Sequence, residues 1–143
     1  MPNKTFEYLD LTTSDVAFRA YGQSLEEVFC NAAQAMFAIM FDLDEVSSQK
    51  QVILNVEARN KEALLYSWLS DLLLEAEVNG YFFSTFQIKE LGTRDERYYL
   101  NGIACGSPAK IELLQTIVKG ITFHEFSLKR EQDTFVATVV VDI

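Results

Sequence analysis

The sequence ends in VVVDI, and the residue types there pose a chemical problem. Val139, Val140 and Val141 lead a β-branched run into Asp142, and Ile143 follows with a terminal carboxylate. A carboxylate beside an apolar run is costly unless something offsets its charge. A bound cation would do so, as would a nearby lysine or plain water at a solvated strand end. The last two strands read as a hairpin turning near Glu131-Gln132-Asp133, and antiparallel pairing about that turn sets Asp142 opposite roughly residue 121. Lys119 lies close by, so one reading is a partly exposed Lys119–Asp142 ion pair, which contributes little to stability. Asp15 follows the polar run Thr12-Thr13-Ser14 at the head of an earlier strand. It either caps that turn through backbone amides or meets Asp142 and the chain end from across the sheet. In the second arrangement three oxygen donors suit a hard cation such as Ca²⁺ or Mg²⁺. Periodicity alone does not bring Asp15 to Asp142.

Other chemistries find little support. His124 is the single histidine, and a lone histidine in a strand reads as packed and hydrogen-bonded. With one histidine, and with Cys30 and Cys105 far apart, a zinc site of several His and Cys ligands is not expected. The two cysteines read as reduced thiols of a cytoplasmic protein. No G-x-S-x-G, phosphate-binding glycine loop or Ser/His/Asp set occurs, so no enzyme is expected. The net charge of −9 repels phosphate backbones, which argues against direct, high-affinity nucleic-acid binding. A basic protein partner or a metal cation fits that sign. No apolar run is long enough for a membrane span, and MPNKTFEYLD lacks a signal-peptide core.

The elements that must position these residues are legible in outline. At 143 residues the chain is expected to be one domain. Residues 4–9 read as a short strand. DVAFRAYG (15–22) alternates Val16, Phe18 and Ala20 against Asp15, Arg19 and Tyr21, which predicts a strand with one buried face. Ser24 and Glu27 form an S-x-x-E capping box. The helix behind it aligns Leu25, Val28, Phe29, Ala32, Met36, Ile39 and Met40. Residues 51–58 alternate again. Asn60 is the expected N-cap of a second helix with Leu64, Leu65, Trp68, Leu69, Leu72, Leu73 and Ala76 on one face. Asp71, Glu75 and Glu77 lie on the other face, and Asn79-Gly80 closes the helix. Strands follow at 81–91, 96–105, about 118–129 and 134–142, while 106–117 fits either an extended connection or a short helix. The sum is an α+β fold, an antiparallel or mixed sheet with two amphipathic helices packed on one face. Apolar residues at both parities in 134–142 predict partial cover on the second face.

Several of these segments together resemble the archease family. DVAFRAYGQSLEEVFCNAAQAMFAIMFDLDEV is similar to its N-terminal strand and helix, and EALLYSWLSDLLLEAEVNGYFFSTFQI to its second helix and following strand. KGITFHEFSL resembles its Lys-x-x-Thr-aromatic-His strand, and VVVDI its ending. The resemblance runs from about Phe6 to Ile143. It implies a small accessory protein of the RNA ligase that joins tRNA halves, promoting guanylation and multiple turnover, with a chaperone-like description. It implies a divalent metal held by Asp15, Asp142 and a main-chain oxygen of Ile143. It further implies a role for Lys119, and it retains His124 as a second candidate for partner activation. Two features depart from the family pattern. Thr12-Thr13-Ser14-Asp15 stands where the family usually has His-Thr-Ala-Asp, and GSPAKIELLQTIVKG lacks an Arg-His pair. Two other readings compete: a general chaperone or protein-interaction module, and a metal-dependent hydrolase using Asp15, Asp142 and His124.

Overall fold

The computed structural model describes residues 4–143. Its elements run β1 (Phe6–Leu11), β2 (Asp15–Gly22), α1 (Leu25–Met40), β3 (Lys50–Ala58), α2 (Lys61–Asn79), β4 (Tyr81–Arg94), β5 (Arg97–Pro108), β6 (Gly120–Glu131) and β7 (Thr134–Asp142). Both helices begin where their caps predict. Ser24 Oγ accepts the Glu27 N–H at 3.1 Å, and Glu27 Oε1 accepts the Gln23 N–H at 3.0 Å. Asn60 Oδ1 accepts the Ala63 N–H at 2.8 Å. Gly80 ends α2 in the left-handed region at φ 67°, a conformation that costs glycine little.

The α+β reading holds, with two refinements. The strands divide between two antiparallel sheets, in the orders β1-β2-β7-β6 and β3-β5-β4. Both helices touch both sheets: α1 packs on β2, β7 and β4, and α2 packs on β3, β6 and α1. This explains why α1 is buried beyond its expected stripe. Val28, Phe29, Ala32, Met36 and Met40 are buried as expected, but Ala33, Ala35 and Phe37 are buried too. Leu64, Leu65, Trp68, Leu69 and Leu72 of α2 complete the core. Trp68 donates its indole N–H to the Phe29 carbonyl at 3.1 Å, so its one polar atom is satisfied inside. Its ring lies so near Gly102 of β5 that a Cβ there would come within 2.7 Å of it.

The β4–β5 hairpin is longer than its sequence signals. Asp95 and Glu96 turn it with φ 54° and 64°, the positive pair of a two-residue hairpin turn without the usual glycine or asparagine. Cys105 therefore lies inside β5 and not at a strand end. Both cysteines are free, and burial pushes the Cys30 thiol up to about 11. Residues 109–119 form an extended connection with one 3₁₀ turn at Ile111–Leu113, tied to the end of α1 by Gln115 N–H donating to Met40 O at 2.7 Å.

β7 runs between β2 and β6. Ala137, Val139 and Val141 face the core, while Val136 and Val140 are buried outside the core cluster, on the opposite parity. The second face is thus covered in part, as the mixed parity predicts. Asp142 shares the parity of Val136 and Val140, which turns its side chain away from the core, and it is exposed.

Candidate metal centre at the ends of β2 and β7

Asp15 and Asp142 are register partners on adjacent antiparallel strands. Beyond them the Ile143 N–H donates to Ser14 O at 2.9 Å. That bond flanks the aspartate pair and makes it a non-hydrogen-bonded one, whose Cα atoms approach to about 4.5 Å. Carboxylates on directly opposite residues repel, and the ladder holds their Cβ atoms close. On the other side of Asp142 stands Gly120, so β6 offers no side chain directly opposite. The observed partner is one residue from the expected 121.

The two structural alternatives for these aspartates fare differently from their prediction. Thr12, not Asp15, caps the turn before β2. Its Oγ1 accepts the N–H groups of Ser14 at 3.2 Å and Asp15 at 2.9 Å, and its N–H donates to Asp15 O at 2.9 Å. With those amides satisfied, the Asp15 carboxylate accepts only the Ser14 hydroxyl, at 3.4 Å, among the described residues. The Lys119–Asp142 ion pair does not form either. The ion pairs among the described residues are Lys4–Glu7, Arg97–Glu57 and His124–Glu125. Lys119 meets Asp142 through its backbone, donating its N–H to Asp142 O at 2.8 Å, and its side chain is exposed.

His124 is not packed. Thr122 pairs with Val140 and Ser127 with Thr138, so the four residues 123–126 face Val139 alone. This wide bulge carries Glu125 at φ 56° and leaves the His124 side chain 79% exposed, with Nε2 3.9 Å from Glu125 Oε1. A strand reading assigns His124 a packed face, but the bulge throws it outward. Among the described residues no three His, Cys, Asp or Glu side chains gather at one point, so His124 does not join Asp15 and Asp142. The side-chain set proposed for a hydrolase is therefore not assembled.

Beside the aspartates lies an open cavity of about 390 Å³, lined by Thr13, Leu114, Gln115, Thr116, Ile117, Lys119 and Ile143. Sequence reading left this connection ambiguous. Its contribution depends on contacts with Thr13 and Ile143 across long stretches of chain, and no local period marks it.

The order of elements, the strand register and the terminal aspartate can be set beside known proteins. The sequence pattern of the Archease protein family matches residues 6–143. This chain belongs to the archease family. Protein archease of Methanosarcina mazei is 36% identical over 142 residues, covering 98% of this chain and 97% of that protein. Protein archease of Methanothermobacter thermautotrophicus is 36% identical over 141 residues, covering 98% and 99%. The solution structure of Methanobacterium thermoautotrophicum protein 1598 superposes with a TM-score of 0.84 at 33% identity, covering 97% of this chain and 99% of that one. The crystal structure of an archease from Thermotoga maritima, described as a possible chaperone, superposes at 0.60 with 16% identity over 92% and 93% of the chains, a likeness of fold alone. Archeases thus share the two helices on antiparallel sheets seen here. No helix of the described residues is long and apolar enough to cross a membrane.

Proposed function

We propose that this archease is a metal-binding accessory protein that activates a tRNA-splicing RNA ligase, promoting its guanylation and multiple turnover. The observation that carries the metal half is the direct pairing of Asp15 with Asp142, two aspartates held opposite each other with no cationic side chain paired to either among the described residues. Their oxygens and a main-chain oxygen of Ile143 form a hard donor set suited to Ca²⁺ or Mg²⁺, with water completing the coordination. A cation there neutralises the pair and pins the end of β7 to the start of β2. The ligase half rests on the family resemblance, on the charge of −9, which suits a basic cleft, and on the candidate contacts Lys119 and His124, both exposed.

The test mixes the protein, well below stoichiometric amounts, with the RNA ligase of its own source, GTP and a cut RNA. Ligations per ligase molecule are expected to rise from about one to many, because an accessory factor that restores the guanylated state acts repeatedly. They are expected to fall back with Asp142→Ala. An active ligase whose turnover number does not change contradicts the proposal. A chaperone reading draws on the exposed Ile111, Ile117 and Phe123. It predicts suppressed aggregation of unrelated clients without preference for the ligase.

A further inference from the structure

The two sheets have four edge strands, and three of them are poorly shaped for further pairing. β1 shifts register between Tyr8 and Asp10, and β4 does so between Phe83 and Thr85 and again between Ile88 and Glu90. β6 carries the bulge at 123–126, and side chains of α2 occupy its free edge. Glu62 Oε2 accepts the Leu128 N–H at 3.1 Å, and the Tyr66 hydroxyl donates to Ile121 O at 3.2 Å. Bulges and edge-capping groups of this kind block strand addition. β3 has neither. Its nine residues, KQVILNVEA, keep one unbroken register with β5 and contain no proline or glycine. Its packing partners are β5 and α2, so its other edge presents alternate N–H and C=O groups in a regular row. Ile53, on the outer face of this strand, is 61% exposed.

We infer that this edge is a homodimer interface, in which β3 pairs antiparallel with β3 of a second copy across a twofold axis at Leu54. The strand is nearly palindromic about that residue. Val52 then lies opposite Val56 of the other copy, Ile53 opposite Asn55, and Gln51 opposite Glu57. The apolar positions continue the inner face, and each Glu57 gains an amide donor. No like charges are opposed, which matters for a chain of net charge −9 that elsewhere repels its own copy. The helix layer fits the same axis. Trp68 packs on Gly102, the register partner of Leu54, so the axis runs beside the middle of α2. The positions there opposite the buried face are Ser67 and Ser70, small enough for a second α2 to approach closely. Ala63 of one copy then meets Leu74 of the other, a side chain 57% exposed in the single chain. One strand and one helix face per copy make a small interface, so the dimer is expected to be reversible.

The inference is tested by sedimentation velocity of the full chain from micromolar to millimolar concentration at fixed ionic strength. The wild type is expected to shift from monomer to dimer, and the β3 amides to gain hydrogen-exchange protection over the same range. Ile53→Lys/Asn55→Lys sets like charges opposite one another twice across the axis and is expected to weaken dimerisation by about tenfold or more. Ile53→Lys/Asn55→Glu sets opposite charges at the same two positions and is expected to restore it. Both positions are exposed, so the fold should persist in either variant. Asp142→Asn is expected to dimerise like the wild type, which separates this interface from the metal reading. A wild type that stays monomeric to millimolar concentration overturns the inference, and leaves the edge to an extended segment of some other protein. So does a dimer that the folded lysine double variant forms as tightly as the wild type.

Discussion

Two acidic regions of this molecule bring aspartates and glutamates together in different ways, one along a helix and one across a pair of strands. On α2, Asp71 and Glu75 stand one helical turn apart. Burial, with Glu75 adding a smaller effect, raises the Asp71 carboxyl above its ordinary range. Yet Glu75 finds a donor, because Asn79 Nδ2 gives it a hydrogen bond at 2.6 Å. The longer glutamate can also swing into water. Asp15 and Asp142 are short side chains on paired strands, and the ladder fixes how far apart their Cβ atoms sit. The helix acids can relax away from one another, whereas the backbone holds the paired aspartates opposite each other, which is the difference the proposed cation site rests on.

This contrast can be broken or sharpened by mutation. The largest effect should come from the buried face of α2. Trp68→Ala removes a fully buried indole and should cost about 3–5 kcal/mol in chemical denaturation, while the stabilisation gained from added Ca²⁺ stays the same. Next is the metal itself. At a hundredfold excess over Kd, a cation bound only by the folded state adds about 2.7 kcal/mol, a rise in Tm of roughly 5–10 °C for a domain of this size. Calorimetric scans with and without CaCl₂ should show that rise in the wild type and in Asp71→Asn, and lose it in Asp142→Asn. Without metal the sign should reverse. Asp142→Asn relieves a cross-strand repulsion and is expected to stabilise the protein by about 0.2–1 kcal/mol in EDTA. The smallest effect belongs to the helix acids. Asp71→Asn relieves a like-charge pair at i,i+4 and is expected to gain about 0.2–0.5 kcal/mol at neutral pH. Because the folded-state pKa of Asp71 is raised, the folded protein binds more protons than the unfolded chain there, so this residue's penalty shrinks as pH falls. The gain from Asp71→Asn should accordingly fade on acidification, as measured by denaturation at a series of pH values.

The elements behind this contrast were legible to different degrees. Alternation in DVAFRAYG and the Ser24 and Asn60 caps are local signals, and the structure follows them closely. The parity of VVVDI also places Asp142 off the core face. The division into two sheets is a matter of long-range pairing and leaves no local trace. The Asp95-Glu96 turn lacks the glycine or asparagine that marks such hairpins, so the reach of β4 and β5 was underestimated. The bulge at 123–126 is likewise silent, and it overturned the packed reading of His124. At the candidate site, three neighbouring oxygen-bearing side chains compete for the same turn amides. Sequence offered Asp15 either as the cap or as the partner of Asp142; Thr12 takes the cap's place and leaves the Asp15 carboxylate free of the backbone. The partnership of Asp15 with Asp142 spans nearly the whole chain, so residue resemblance reached it and periodicity did not.

The most direct test is isothermal titration of CaCl₂, and in parallel MgCl₂, into EDTA-treated wild-type protein, Asp15→Asn and Asp142→Asn. The account predicts a saturable one-site isotherm in the wild type for at least one of these ions, and its loss in both variants while their folds persist. Equal binding by the variants, or no binding by the wild type at millimolar ion, would contradict the claim that the paired aspartates form a metal centre.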